Sequence, residues 1–221
     1  MVFEMILPDI HEKQELLSDL DQRKNGFVSN EIIQKWFLDR YSTSKHLWVL
    51  YSIVYGLKCI KMAEVGFGRS SFVLAKAAYE TGAHFICCDR YDYTGYLSPE
   101  ERGVMDFVVG DAKKLYNNLN CGLDFVFLDY LSSKERSAES CYKALKRWGG
   151  VLRQNGIIAV HEAVEKGYNV MEALKMFRRV DGYEQVSLPY NYGLAIIRKT
   201  AKSEYGRIND EWLKKNPKKH A

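Results

Sequence analysis

The sequence predicts an α/β protein built on a doubly wound, seven-stranded, mostly parallel sheet whose last strand is antiparallel. Three observations carry that prediction. From residue 60, short and nearly continuous apolar runs alternate with segments of helical periodicity, as in sheets covered by helices on both faces. Five of those runs end in an acidic or imidazole side chain. The final two runs, YEQVSL and GLAIIRK, are joined around PYNY, too short for a crossover, so they form a hairpin.

Taken in order, the first 30 residues are polar and broken at Asn25-Gly26, which predicts helical turns with weak tertiary anchoring. EIIQKWFLDR places Ile32, Ile33, Trp36 and Phe37 on one helical face. HLWVLYSIVYGL is apolar nearly all round and predicts a buried helix, N-capped at Ser44 and ending near Gly56. IKMAEV is the first core strand, SSFVLAKAAYE the helix after it, stopped at Gly82, and HFICC the second strand. SPEERGVM opens a short helix with Ser98 as N-cap and Pro99 at the first position. DFVV and LDFVFL are buried strands on either side of a short helix at AKKLYNNL. SKERSAESCYKALKRW repeats Ala138, Tyr142, Leu145 and Trp148 at helical spacing and ends at Gly149-Gly150. Asn155-Gly156 then turns the chain into the strand IIAV, and NVMEALKMFRRV directs Val170, Met171, Leu174 and Phe177 inward.

Composition narrows the function classes. A chain of 221 residues with 47% apolar and 27% charged residues suits one α/β domain with a sizeable core. No apolar run reaches the roughly 18 residues of a membrane span, so no membrane partner is expected. Glu4 and Asp9 stand where a secretion signal needs a basic end and an apolar run, which predicts a cytoplasmic protein without a cleaved leader. The five cysteines have no zinc-ligand spacing, and adjacent Cys87 and Cys88 should face opposite sides of a sheet as small buried hydrophobes. The net charge is +4, much of it in the terminal WLKKNPKKHA. With no basic stripe or interleaved aromatics elsewhere, no nucleic-acid partner is expected.

The chemistry should sit beyond the carboxyl ends of the strands, where open α/β sheets bind ligands. There the sequence places Glu64-Val65-Gly66-Phe67-Gly68, Asp89-Arg90, Gly110-Asp111, Asp129-Tyr130 and His161-Glu162. Gly66 and Gly68 remove side chains from a strand-to-helix turn that a flat ligand approaches closely. Asp89, 25 positions after Glu64, is placed to accept both hydroxyls of a ribose. A dinucleotide fingerprint would require glycine at position 71, which is Ser71. An acid beside the loop also suits a ligand carrying an ammonium and a sulfonium better than one carrying phosphates.

AEVGFGRSSFVLAKAA, the acid of CCDRYD, VVGDAKKL, LDFVFLDY and GGVLRQNGIIAVHE together resemble the ordered motifs of class I S-adenosylmethionine-dependent methyltransferases. The Arg-Ser-Ser after the glycine loop, and the preceding STSKHLWVLYSIVYGLK, are most similar to small-molecule O-methyltransferases of the macrocin and catechol type. The resemblance spans about residues 40–200 and implies a Rossmann-like methyltransferase fold. The pattern of elements and charge divides the chain into an N-terminal helical region over 1–58, an α/β domain expected to bind S-adenosylmethionine over 59–200 and a basic C-terminal tail over 201–221. Glu64 would hold the methionine amino group through water, with Gly66 and Gly68 forming the loop beneath it. Asp89 would hold the ribose, Arg90 would flank the adenine, and Asp111 would accept from the adenine amino group beside Gly110 and Ala112. Asp129 would line the methyl-transfer site, and Ser42–Ser44 would close over the cofactor.

The catechol-type pattern has an Asp-Asn pair after the fifth strand, where this chain has His161-Glu162. Two routes for removing an acceptor proton are therefore open. One is a metal-free base at His161 beside Asp129. The other is a divalent metal held by Asp129, Glu162 and His161, for which the adjacent strand residues would need a bend. The expected partner is a small-molecule acceptor with a hydroxyl, and a homo-oligomer is compatible with the sequence. Alternatives are a nucleotide-dependent oxidoreductase on the same sheet and a non-catalytic protein retaining the fold. Each site residue also has a plainer role: Asp111 as a helix cap, His161 as a hydrogen-bonded structural residue, Asp129 in an ion pair, Tyr91, Tyr93 and Tyr96 as packing.

Overall fold

A computed structural model describes residues 10–39, 43–119, 122–131, 137–164 and 169–200. Methionine 1 to residue 9, Ser42 and the basic tail thus lie outside the described residues. The strands are β1 (Lys61–Val65), β2 (His84–Asp89), β3 (Met105–Val109), β4 (Leu123–Leu128), β5 (Leu152–His161), β6 (Tyr183–Leu188) and β7 (Leu194–Lys199). They form one sheet in the order β3-β2-β1-β4-β5-β7-β6. The pairs from β3 through β5 are parallel, and β7 runs antiparallel between β5 and β6. The strand order reverses between β1 and β4, which is the switch point at which such sheets bind ligands.

The helices are α1 (Ile10–Asp21), α2 (Asn30–Leu38), α3 (Leu47–Gly56), α4 (Arg69–Thr81), α5 (Pro99–Val104), α6 (Ala112–Asn118), α7 (Ala138–Val151) and α8 (Val170–Phe177). One core packs Met62, Phe85, Cys87, Phe125 and Phe127 against Trp36, Leu50 and Phe72. The other packs Ala63, Val65, Cys88, Val126 and Leu128 against Leu115, Leu145, Trp148 and Phe177. Cys87 and Cys88 fall in different cores, as strand alternation requires.

Several local expectations are corrected. The segment from Asp19 to Arg23 is firmly anchored: Asp19 is buried and accepts from Trp36 Nε1 (2.9 Å), and Arg23 pairs with fully buried Glu101 (2.9 Å). A polar sequence hid this because the anchors are themselves polar. Helix α3 buries Leu47, Leu50 and Val54, but Tyr55 is exposed and Trp48, Val49 and Ile53 line an open apolar groove with Ile157. Its N-cap is His46, since a 3-10 turn, Ser44–His46, precedes it. Helix α7 continues through Gly149-Gly150 to Val151, and β5 starts at Leu152, with Asn155 in a left-handed conformation (φ 64°) where the β4–β5 register shifts. In α8, Ala173 is buried, whereas Met171 is only half-buried. Among the described residues, no helix is long and apolar enough to cross a membrane.

Candidate functional site

The site begins where β1 runs into α4. Gly66 has φ 103°, and a Cβ there would lie 2.8 Å from the Asp129 carbonyl oxygen, so the turn requires glycine. Gly68 is different: its backbone is extended, and a Cβ would meet nothing within 4 Å. Its N–H donates to Ser71 Oγ (3.0 Å), so the serine in place of a third glycine caps α4. Arg69 donates to Asp39 (2.7 Å) and lies over the Trp36 ring, tying this turn to the end of α2.

Glu64 points to the α4 side of the sheet and is wholly buried beneath the loop. Ser70 Oγ donates to it (2.6 Å), with Cys87 Sγ at 3.6 Å. Burial pushes its carboxyl up to about 8, against the opposing hydrogen bonds from Ser70 and Ser71. The same burial, together with the neighbouring Glu64, raises the Cys87 thiol well above its ordinary value.

A cavity of about 420 Å³ runs across the strand ends, within the range of small-ligand sites. Of the expected residues, Gly66, Asp89, Arg90, Gly110, Asp111, Ala112 and Asp129 line it, joined by Val65, Cys88, Tyr91 and Tyr130. Glu64, Gly68 and His161 do not line it. For Glu64 the reason is strand alternation, which turns it into the core while Val65 faces the other side. Asp89 already accepts from Phe67 N (2.8 Å) and Tyr91 N (3.0 Å), which fixes both carboxylate oxygens and leaves lone pairs for two hydroxyls. Asp111 caps α6 through Lys113 N (2.7 Å) while also lining the cavity, so the plain and functional roles coexist. A second cavity between α6 and α7 shares Arg90, Asp111, Ala112 and Tyr130 with the first.

At the far end of the cavity, Asp129 Oδ1 meets His161 Nδ1 at 2.8 Å. Asp129 is partly exposed to the cavity, whereas the His161 side chain is 1% exposed. The carboxylate thus faces the ligand space, where it was expected to line the site, and the imidazole stands behind it. Sequence reasoning missed His46, whose buried ring lies edge-on to His161 at 5.8 Å between centroids. Its isolated position in an apolar stretch gave no signal. Ser44, expected with Ser42 to cover the cofactor, is buried but does not line the cavity.

Glu162 leaves β5 with φ 58°, which supplies the bend that convergence on a metal would need. Even so, among the described residues no three His, Cys, Asp or Glu side chains come together as a cation site.

Residues 63–163 match the family model described as a methyltransferase domain. No curated protein sequence matches the chain. Among solved structures, the fold is similar to a putative caffeoyl-CoA O-methyltransferase from Staphylococcus aureus (TM-score 0.59, 15% identity, covering 86% of this chain and 100% of that one). It is also similar to a methyltransferase from Geobacter sulfurreducens (TM-score 0.59, 14% identity, 89% and 92%). A third likeness is an S-adenosylhomocysteine-bound methyltransferase from Podospora anserina (TM-score 0.58, 15% identity, 89% and 99%). At these identities the likeness is one of fold.

Proposed function

We infer that this chain is a methyltransferase that takes its methyl group from S-adenosylmethionine and passes it to a hydroxyl of a small-molecule acceptor. The observation that carries the acceptor assignment is Asp129: a carboxylate on the cavity wall, hydrogen-bonded to a buried imidazole. A hydroxyl needs a proton acceptor within reach, and this pair supplies one.

In this reading Asp89 receives the ribose hydroxyls, Arg90 and Ala112 flank the adenine, and Asp111 accepts from its amino group. Gly110 leaves room beside the ring, and Gly66 lets the backbone approach the methionine portion. Glu64 acts from beneath the loop, polarising Ser70 and the turn rather than touching the cavity. The bound sulfonium supplies an already activated methyl, so the protein's main task is to hold the acceptor in line. Asp129 takes the hydroxyl proton. His161 donates its Nδ1–H to Asp129, holding the carboxylate in one orientation.

The test combines calorimetry with transfer of labelled methyl to a panel of small hydroxyl compounds. S-adenosylmethionine and S-adenosylhomocysteine should bind and NAD should not. Asp129→Asn should keep S-adenosylhomocysteine binding and lower transfer at least 100-fold, within the usual worth of a general base. Full transfer by that variant would remove Asp129 as the base.

A further inference from the structure

We propose that His46 is a positioning residue for the Asp129–His161 pair, coupling it to the turn between β6 and β7. The inference rests on reading that pair as the proton acceptor. Three chain segments meet at His46. Its ring packs edge-on against His161, and its Nε2 lies 3.3 Å from the Asn191 carbonyl oxygen, 145 positions away. Asn191, Tyr192 and Gly193 are consecutive left-handed residues (φ 41°, 61° and 86°), a backbone that persists only where neighbours hold it. That turn is docked on the segment after His161: Ala163 N donates to Gly193 O (3.2 Å) and Val164 N to Tyr192 O (2.9 Å). The room is exact enough that a Cβ on Gly193 would meet Val164 at 2.7 Å.

The chemistry follows from the hydrogen bonds. With Asn191 O as acceptor, His46 must carry its proton on Nε2. With ionised Asp129 as acceptor, His161 must carry its proton on Nδ1. Burial, and then the nearby His161, lower the affinity of His46 for a second proton, while the carbonyls of Asn191 and Tyr190 and the Asp129 carboxylate partly oppose this. The titratable groups acting on it are thus His161 and Asp129. A neutral His46 ring keeps an accepted proton on the Asp129–His161 pair, and its N–H keeps the turn seated beside that pair.

Two variants separate the halves of this role, read by NMR with 15N-labelled imidazoles on protein saturated with S-adenosylhomocysteine. His46→Gln keeps an amide donor for Asn191 O and loses the ring. It should move the His161 nitrogen shifts away from a single Nδ1–H tautomer while exchange of the Ala163, Val164 and Gly193 amides stays near wild type. His46→Phe keeps a ring and loses the donor. It should speed exchange of those three amides at least tenfold while the His161 tautomer holds. Binding of S-adenosylhomocysteine should stay within twofold in both. An unchanged His161 spectrum in both variants, identical changes in both, or a large loss of cofactor affinity would each overturn the proposal. Because no acceptor is needed, these outcomes are independent of the Asp129→Asn transfer result, which alone decides the reading beneath it.

Discussion

Burial favours the protonated form of Glu64, and that has a measurable sign. A folded-state value of about 8 against an ordinary 4.5 means the native state binds a proton that the unfolded chain releases between those limits. Stability attributable to this group is therefore present below about pH 4.5 and lost as pH rises towards 8. Glu64→Gln, which preserves an acceptor for Ser70, should match the wild type at pH 5 in urea unfolding and exceed it at pH 9 by roughly a few kcal/mol. A difference that does not grow with pH would show that Glu64 is not buried as a neutral acid. The two glycines of the loop make a second contrast. Gly66→Ala should cost about 1–3 kcal/mol, because both its backbone angle and the Asp129 carbonyl oppose a side chain. Gly68→Ala should cost under about 1 kcal/mol, since only its cap position is affected. Equal thermal shifts in the two variants would contradict this geometry.

At the scale of elements, α6 shows how one residue serves folding and binding together. Asp111 stands between β3 and α6, accepts from the Lys113 amide and faces the cavity. Asp111→Ala should lose about 1 kcal/mol of stability as well as cofactor affinity. Asp111→Ser retains a capping oxygen, so it should keep the stability and still weaken S-adenosylhomocysteine binding. Wild-type affinity in the serine variant, measured by calorimetry, would reduce Asp111 to a cap. Strand β4 carries a comparable device in Asp124, an acid inside an apolar run. It is buried, accepts from Ile60 N (2.6 Å) and Lys61 N (2.7 Å), pairs with Arg153, and so fixes where β1 begins beside β4.

For the whole molecule, the N-terminal helices and the sheet share one core, with Trp36, Phe72 and Phe85 in the same cluster. Trp148 reports the opposite face. Variants retaining only Trp36 or only Trp148 should give coincident urea transitions, and separate midpoints would show the N-terminal helices folding as their own unit. What the sequence determined by itself was the strand–helix alternation, the hairpin at the end and the acids at the strand ends. Those are local: a strand buried on both faces must be apolar throughout, and a chain leaving it must turn through polar residues. Tertiary structure decided what those side chains face. Strand alternation places Glu64 and Val65 on opposite sides, but only packing sends Glu64 into the core beneath α4 and leaves Asp89, Asp111 and Asp129 along one cavity. The same holds for His46 and His161, which are distant in sequence and meet because the 3-10 turn before α3, the end of β5 and the β6–β7 turn converge. Periodicity in a chain records which residues avoid water; which buried polar groups answer one another depends on contacts between segments that no local pattern encodes.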